Sequence, residues 1–299
     1  TNAIQREGTR RECPGIPDGH VVAEPEIRNT AAAIGLAALL VRHADPDGVM
    51  VVLPADHIIR PREEFVATFE AAARRAAAEE VLICVGIKPT GPATGYGYIE
   101  AGDEVAKIDG YGVHRVQSFK EKPDAATAGS FVESGRYFWN AGTFVWKAAT
   151  ILDAFKKHLP RHYEILEELA PDLASGGTPS AELYARFENV PIDIGIMEKA
   201  SNVEVIPADF EWDDAGSWLA LTRLHPRDDD GNTVRGEFVG IDSRNCLVVS
   251  PDHLVATIGL QDMIVVHTPD ATLICPKSRA EEVKNIVERL KERGHDELL

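Results

Sequence analysis

The stretch Val49-Met50-Val51-Val52-Leu53-Pro54-Ala55-Asp56-His57 decides how the rest of the chain is read. Its first five residues are apolar and partly β-branched, the composition of a strand buried on both faces. A second such run, VLICVG, follows at 81–86. Between the two, Phe65, Phe69, Ala72, Ala73 and Ala76 recur at helical spacing behind Pro61, which suits a first helical turn. Strand, helix, strand is the expected order. Upstream, Asn29 or Thr30 is placed to cap a helix through AAIGLAALLV that delivers the chain to residue 49. Residues 20–90 therefore read as alternating α and β elements, the pattern of an open, mostly parallel sheet with helices on its faces. Ligands of such sheets bind beyond the carboxyl ends of strands, which is where Asp56 and His57 fall.

The 299 residues allow about two domains, and 44% apolar composition is enough for a sizeable core. With 31 Lys+Arg against 48 Asp+Glu the formal charge is −17, which argues against broad nucleic-acid or anionic-membrane binding. No apolar run approaches the ~20 residues of a membrane span. Cys13, Cys84, Cys246 and Cys275 lie far apart without a CxxC pair, so a cytoplasmic setting is the expectation rather than a disulfide framework or structural zinc.

From 91 to 146 the texture changes to glycine-rich turns and alternating strands, including HRVQSF at 114–119 and GTFVW at 142–146. Helices are expected at 150–158, 161–170 and 180–188, and one more strand at 204–207. The turn formers and acids of HPRDDDGN at 225–232 suggest a boundary, giving domains 1–226 and 227–299. Beyond it FVGI, CLVVS, LVATIG, MIVVH and TLICP recur as strand-like segments, a small all-β unit. A closing helix is expected, with Ser278 and Glu281 as a capping box and Val283, Ile286, Val287 and Leu290 as its apolar face.

Several segments can carry chemistry. Asp56 at a strand end can hold Mg²⁺ or cap the helix that starts near Pro61, and spacing alone leaves both open. Glu211-Trp212-Asp213-Asp214-Ala215-Gly216-Ser217-Trp218 can supply a second carboxylate or be a turn of solvated acids. In the loop from Lys88 to Tyr98, Gly95 and Gly97 permit close ligand approach, and tyrosine hydroxyls suit sugar hydroxyls; a plain glycine hairpin is the competing reading. Lys122 can meet a phosphate and Glu121 a sugar hydroxyl, although alone they read as a solvated rim. Asn140 and Asp193 are weak singly.

In order and spacing, EPEIRNTA (24–31), LPADH (53–57), GIKPT (86–90), TGYGYI (94–99), EKP (121–123), WNAG (139–142) and WDDAGSW (212–218) resemble the mannose-1-phosphate guanylyltransferases, or GDP-mannose pyrophosphorylases, among the sugar nucleotidyltransferases. The resemblance implies an α/β fold: a Rossmann-like nucleotidyltransferase domain, then a small β domain of left-handed-helix type and a C-terminal helix. It implies GMP transfer from GTP to mannose 1-phosphate, giving GDP-mannose and pyrophosphate with Mg²⁺, and a homodimer. Carried over residue by residue, Asp56 and Asp214 would ligate the metal. Glu24, Arg28 and Asn29 would meet the guanosine end, Gly95, Glu121, Asn140 and Asp193 would hold the mannose, and Lys122 would meet its phosphate. Two alternatives stay open: a non-catalytic GDP-mannose-binding regulator, and a transferase using another nucleotide and hexose 1-phosphate.

Departures from the family pattern are Ala32 for proline, smaller residues at Gly91 and Ala93, Ala141 and Thr143 for serine and methionine, and Asp213 for serine. The family's opening strand and glycine-rich GGxGTR-type loop have no counterpart, and Thr1-Asn2-Ala3 resembles the family sequence next after that loop. Two expectations result: a fragment of a complete enzyme, or a natural chain without the loop.

Overall fold

A computed structural model describes residues 1–298 and separates into two units, Thr1–Ala55 with Ile59–Glu211, and Asp56–Ile58 with the chain from Trp212 onward. In the first unit the elements run α1 (Arg6–Glu12), α2 (Asn29–Ala44), β1 (Val49–Val52), β2 (Ile58–Arg60, begun in the other unit), α3 (Arg62–Ala78), β3 (Leu82–Ile87), β4 (Gly97–Ile108) and β5 (Tyr111–Lys120). There follow α4 (Ala125–Ser134), β6 (Tyr137–Lys147), α5 (Ala148–His158), α6 (Pro160–Ala174), α7 (Ala181–Tyr184) and β7 (Val203–Ala208).

Six of these strands form one sheet in the order β1-β6-β3-β7-β5-β4, with β4 also pairing β6. The sheet is mixed, as expected, but "mostly parallel" is corrected. Only β3–β7 is a parallel ladder, and every other described pairing is antiparallel. The reason is that β6 inserts between β1 and β3. The two apolar runs thus share a direction without touching, and β4–β5 adds a hairpin that needs no crossover. Burial follows position. β3 is buried at all six residues, whereas β1 lies at the sheet edge with Val51 43% exposed, so its expected two-sided burial does not hold.

Helices α2, α5 and α6 build the main core through Ile34, Leu36, Leu39, Ile151, Phe155, Leu166 and Leu169. Side chains of this size contribute about 1.5–3 kcal/mol each when fully buried. Gly35 sets the approach of α2 to α6, since a Cβ there would lie 2.8 Å from Leu166 Cδ1. Helix α3 starts after Pro61 as expected and buries Phe69, Ala72 and Ala76. Its Arg75 reaches the buried Glu204 of β7 with two hydrogen bonds of 2.9 and 2.8 Å, so the partly buried charges are paired in bidentate geometry.

The second unit contains most of β8 (Glu211–Asp213), then α8 (Trp218–Leu224), β9 (Thr233–Ile241), β10 (Leu247–Ile258), β11 (Met263–His267), β12 (Thr272–Pro276) and α9 (Val283–Glu292). Strands β9, β10 and β11 stack in parallel, with Thr233, Leu247 and Ile264 in register, and β12 returns antiparallel. Leu247, Ile264, Val266 and Ala280 form the core, covered by Trp218, Leu219 and Leu221. Because α8 packs on this core, the unit begins before the expected boundary at 226/227. CLVVS and LVATIG form one strand, with its register shift between Ser250 and Val255. At this corner Gly236 has φ +117°, and a Cβ would sit 1.8 Å from the Ser250 carbonyl oxygen, so only glycine fits.

The expected capping box does not form. Ser278 and Glu281 lie in a 3₁₀ turn, Lys277–Glu282, without a side-chain cap, and Ile286 and Val287 of α9 are 47% and 38% exposed. Among the described residues no helix is long and apolar enough to cross a membrane.

Candidate functional site

In the first unit the polar residues converge on Gly97. Its register partner on β6 is Asn140, and a Cβ on Gly97 would lie 2.5 Å from Glu121 Oε2 and 3.4 Å from Asn140 Cβ. Glycine at 97 therefore leaves the room that Glu121 fills. Asn140 Nδ2 donates to Asp193 Oδ1 at 2.7 Å, while its Oδ1 accepts from the Gly142 amide at 3.0 Å. Both ends of the amide are thus fixed, and its flip state follows from the partners.

Asp193 opens a π-helical turn, Asp193–Met197, a rare form that often marks functional sites. This segment is tied to the start of α2, where Thr30 Oγ1 accepts from the Ile192 amide at 2.8 Å and the Ala31 amide donates to the Val190 carbonyl. Thr30 therefore anchors the Asp193 turn, and Asn29 Oδ1 takes the Thr30 amide; neither makes the expected helix cap.

Glu198, just beyond the turn, is a residue that sequence reasoning missed. Burial, then the facing carboxylates of Glu121 and Asp193, raise its carboxyl above the usual range. Lys122 lies 3.4 Å from Glu121, is 64% exposed, and holds φ +42°, a left-handed backbone costing about 1–2 kcal/mol outside glycine. Gly95 faces open space. Tyr98 is not available to a ligand: it is fully buried and its hydroxyl donates to the Ala93 carbonyl.

The three residues expected at a nucleotide base do not converge into one hydrogen-bonded set. Glu24 accepts from the hydroxyl of the buried Tyr184, whose ionisation is pushed far up by burial and then by that carboxylate. Arg28 pairs with Glu26 at 2.9 Å, and Asn29 binds its neighbour's amide. Tyr184 carries no sequence signal beyond the helical spacing of its segment.

The second unit holds the other acidic set. Asp56 is exposed, with 79% of its side-chain surface free, and its Oδ1 lies 4.0 Å from His57 Nε2. His57 Nδ1 accepts from Trp212 Nε1 at 3.1 Å, and the rings meet edge to face at 5.2 Å. Burial lowers the imidazole's proton affinity, outweighing the pull of Asp56, Asp214 and Asp213, all three of which act on it.

The 213–216 loop is shaped by its own carboxylates. Asp213 Oδ1 accepts from Ala215 N at 2.9 Å, Asp214 Oδ1 accepts from Gly216 N at 3.2 Å, and Ala215 holds φ +48°. Burial pushes Asp213 up, but the Arg223 guanidinium and the Ala215 amide outweigh it and hold the carboxyl below its usual range. Asp56 does not cap α3, whose N-cap is Pro61. Among the described residues no three His, Cys, Asp or Glu converge as a metal cage. Asp56 and Asp214 both act on the His57 ring, and two carboxylates are a donor set that Mg²⁺, a hard cation that keeps waters and takes phosphate oxygens, could use.

Residues 10–231 match the nucleotidyl transferase family model, and 236–290 match that of the MannoseP isomerase/GMP-like beta-helix domain. Among relatives, Escherichia coli mannose-1-phosphate guanylyltransferase is 35% identical over 94% of this chain and 61% of its own length. Alginate biosynthesis protein AlgA of Pseudomonas aeruginosa is 38% identical over 96% of this chain and 60% of its own. The chain thus spans about three fifths of the length of these relatives. A solved structure from Thermus thermophilus, described as a mannose-1-phosphate geranyltransferase, is 33% identical with a TM-score of 0.84, over 97% of this chain and 83% of that one. With the family model covering residues 10–231, the chain belongs to the nucleotidyl transferase family.

Proposed function

We propose that the protein transfers GMP from GTP to mannose 1-phosphate, releasing pyrophosphate and forming GDP-mannose. The observation that carries this reading is the Gly97-centred set, in which Glu121, Asn140 and Asp193 present acceptors and an amide suited to sugar hydroxyls. The relatives named mannose-1-phosphate guanylyltransferase support the choice of sugar and nucleotide.

In this reading Asn140 and Glu121 orient the hexose, and Lys122 meets its phosphate as a point charge. One phosphate oxygen of the sugar attacks the α-phosphorus of GTP in line as pyrophosphate leaves, so catalysis is positioning and charge neutralisation without a covalent enzyme intermediate. Asp56 and Asp214 would hold Mg²⁺, which neutralises charge on the reacting phosphates. Arg28 and Asn29 serve the nucleotide end. Glu24 has its hydroxyl partner in Tyr184, so its contribution there is to hold the loop. A homodimer in the cytoplasm belongs to the same reading.

Pyrophosphate release by purified protein, with GTP, mannose 1-phosphate and Mg²⁺, tests it. Release that needs all three is expected. No release with any nucleoside triphosphate and hexose 1-phosphate, alongside measurable GDP-mannose binding, would favour a regulator instead.

A further inference from the structure

His57 has no assigned part in the scheme above, yet its geometry is specific. The Trp212 indole nitrogen can only donate, so His57 Nδ1, 3.1 Å away, must be the acceptor and carries no proton. In the neutral ring the N–H is then at Nε2, the atom that faces Asp56 Oδ1 at 4.0 Å. The ring is held: only 11% of its side-chain surface is free, and it is packed edge to face on Trp212. Asp56 is the opposite case, 79% free. A fixed donor therefore stands beside an exposed carboxylate, at a separation about 1 Å beyond an ordinary hydrogen bond.

We propose that His57 is the positioning residue of the metal-binding carboxylates, donating from Nε2 to one oxygen of Asp56 so that the other is presented to the cation. Trp212 precedes Asp213 and Asp214 in the chain, so its bond to His57 also ties the Asp56 segment to the segment that carries Asp214. Outer hydrogen bonds of this kind fix ligating carboxylates, and their loss typically costs about 10–100-fold in metal affinity. Asp213 is bonded to Arg223 and the Ala215 amide and Asp214 to the Gly216 amide, whereas Asp56 is approached by the His57 ring at 4.0 Å. The proposal rests on the reading of Asp56 and Asp214 as the metal pair.

The test is Mn²⁺ alone, titrated against the whole protein and followed by electron paramagnetic resonance, with circular dichroism to confirm folding. His57→Phe keeps the ring's bulk and removes both nitrogens; it is expected to weaken Mn²⁺ binding about tenfold. His57→Gln places an amide N–H near the position of Nε2 and is expected to recover most of that loss. In ¹⁵N spectra of the imidazole, the wild type should show only the Nε2–H tautomer, and Trp212→Phe should admit the other. If folded His57→Phe binds Mn²⁺ like the wild type and only its thermal midpoint falls, His57 merely packs and the proposal is overturned. If Asp56→Asn also binds like the wild type, the metal reading fails with it. Loss in Asp56→Asn with none in His57→Phe isolates the failure to His57.

Discussion

The two polar sets are built in contrasting ways. Asn140 sits within the sheet, on a strand that pairs β3 on one side and β4 on the other, and both ends of its amide are bonded. Asp56 sits in a loop, mostly solvent-exposed, with His57 at 4.0 Å. In the first set the Asn140 amide is bonded at both ends before any ligand arrives, which suits the recognition of fixed hydroxyl positions. The second is adjustable, which suits a cation whose remaining ligands are the reacting phosphates. The contrast yields a rule that can be broken: substitution of the exposed Asp56 should act on turnover with little change in stability, and substitution of Asn140 in the sheet should act on sugar recognition and on folding together.

The largest effect is expected from Asp56→Asn, which removes the charge at an exposed position. Turnover in the pyrophosphate assay should fall about 10²–10³-fold, the scale of losing one preorganised electrostatic group, with the thermal midpoint almost unchanged. A large drop in midpoint would show that Asp56 is a structural residue. Asn140→Ala comes next. It leaves Asp193 without its 2.7 Å donor, so kcat/KM for the sugar phosphate should fall about 10–100-fold and stability by about 1–3 kcal/mol, measured by denaturant unfolding. Loss of activity without loss of stability would mean that the amide serves only the ligand.

The sequence discloses these sets unequally, for reasons that lie in the residues. Fully buried β3 and helix α3 are legible because apolar periodicity reports burial directly. The place of β6 between β1 and β3 is not, since strand adjacency depends on long-range pairing that local pattern does not encode. Capping by Ser278 fails as an expectation because the chain tightens there into a 3₁₀ turn. Asn140 and Asp193 are weak separate signals, 53 residues apart in the chain, and only folding makes them one hydrogen bond. Trp212 reads as packing; its bond to His57 requires two loops to meet. Glu198 leaves no trace, because its distinction is the company of Glu121 and Asp193.

The smallest effects test the contrast by their opposite dependence on pH. Asp213 is held below the usual carboxylate range on folding, so it stabilises the protein above its unfolded pKa, and that contribution is lost as pH falls through the lowered folded value. Asp213→Asn should therefore cost about 1–2 kcal/mol at pH 7, by loss of a charged hydrogen bond to Arg223, and the deficit should shrink on acidification.

Glu198 runs the other way. Its carboxyl is raised on folding, so its favourable contribution is complete below the unfolded pKa and is lost as pH rises through the raised folded value. Once ionised it is a charge facing two like charges, so Glu198→Gln should raise the thermal midpoint by about a degree on the alkaline side of its titration and leave it unchanged well on the acid side. Calorimetry of both variants from about pH 3 to 8 decides the matter. Should Glu198→Gln lower the midpoint on the alkaline side, the carboxylates around Gly97 are not in mutual repulsion, and the sheet set would not be the preformed, ligand-ready group that its hydrogen bonds imply.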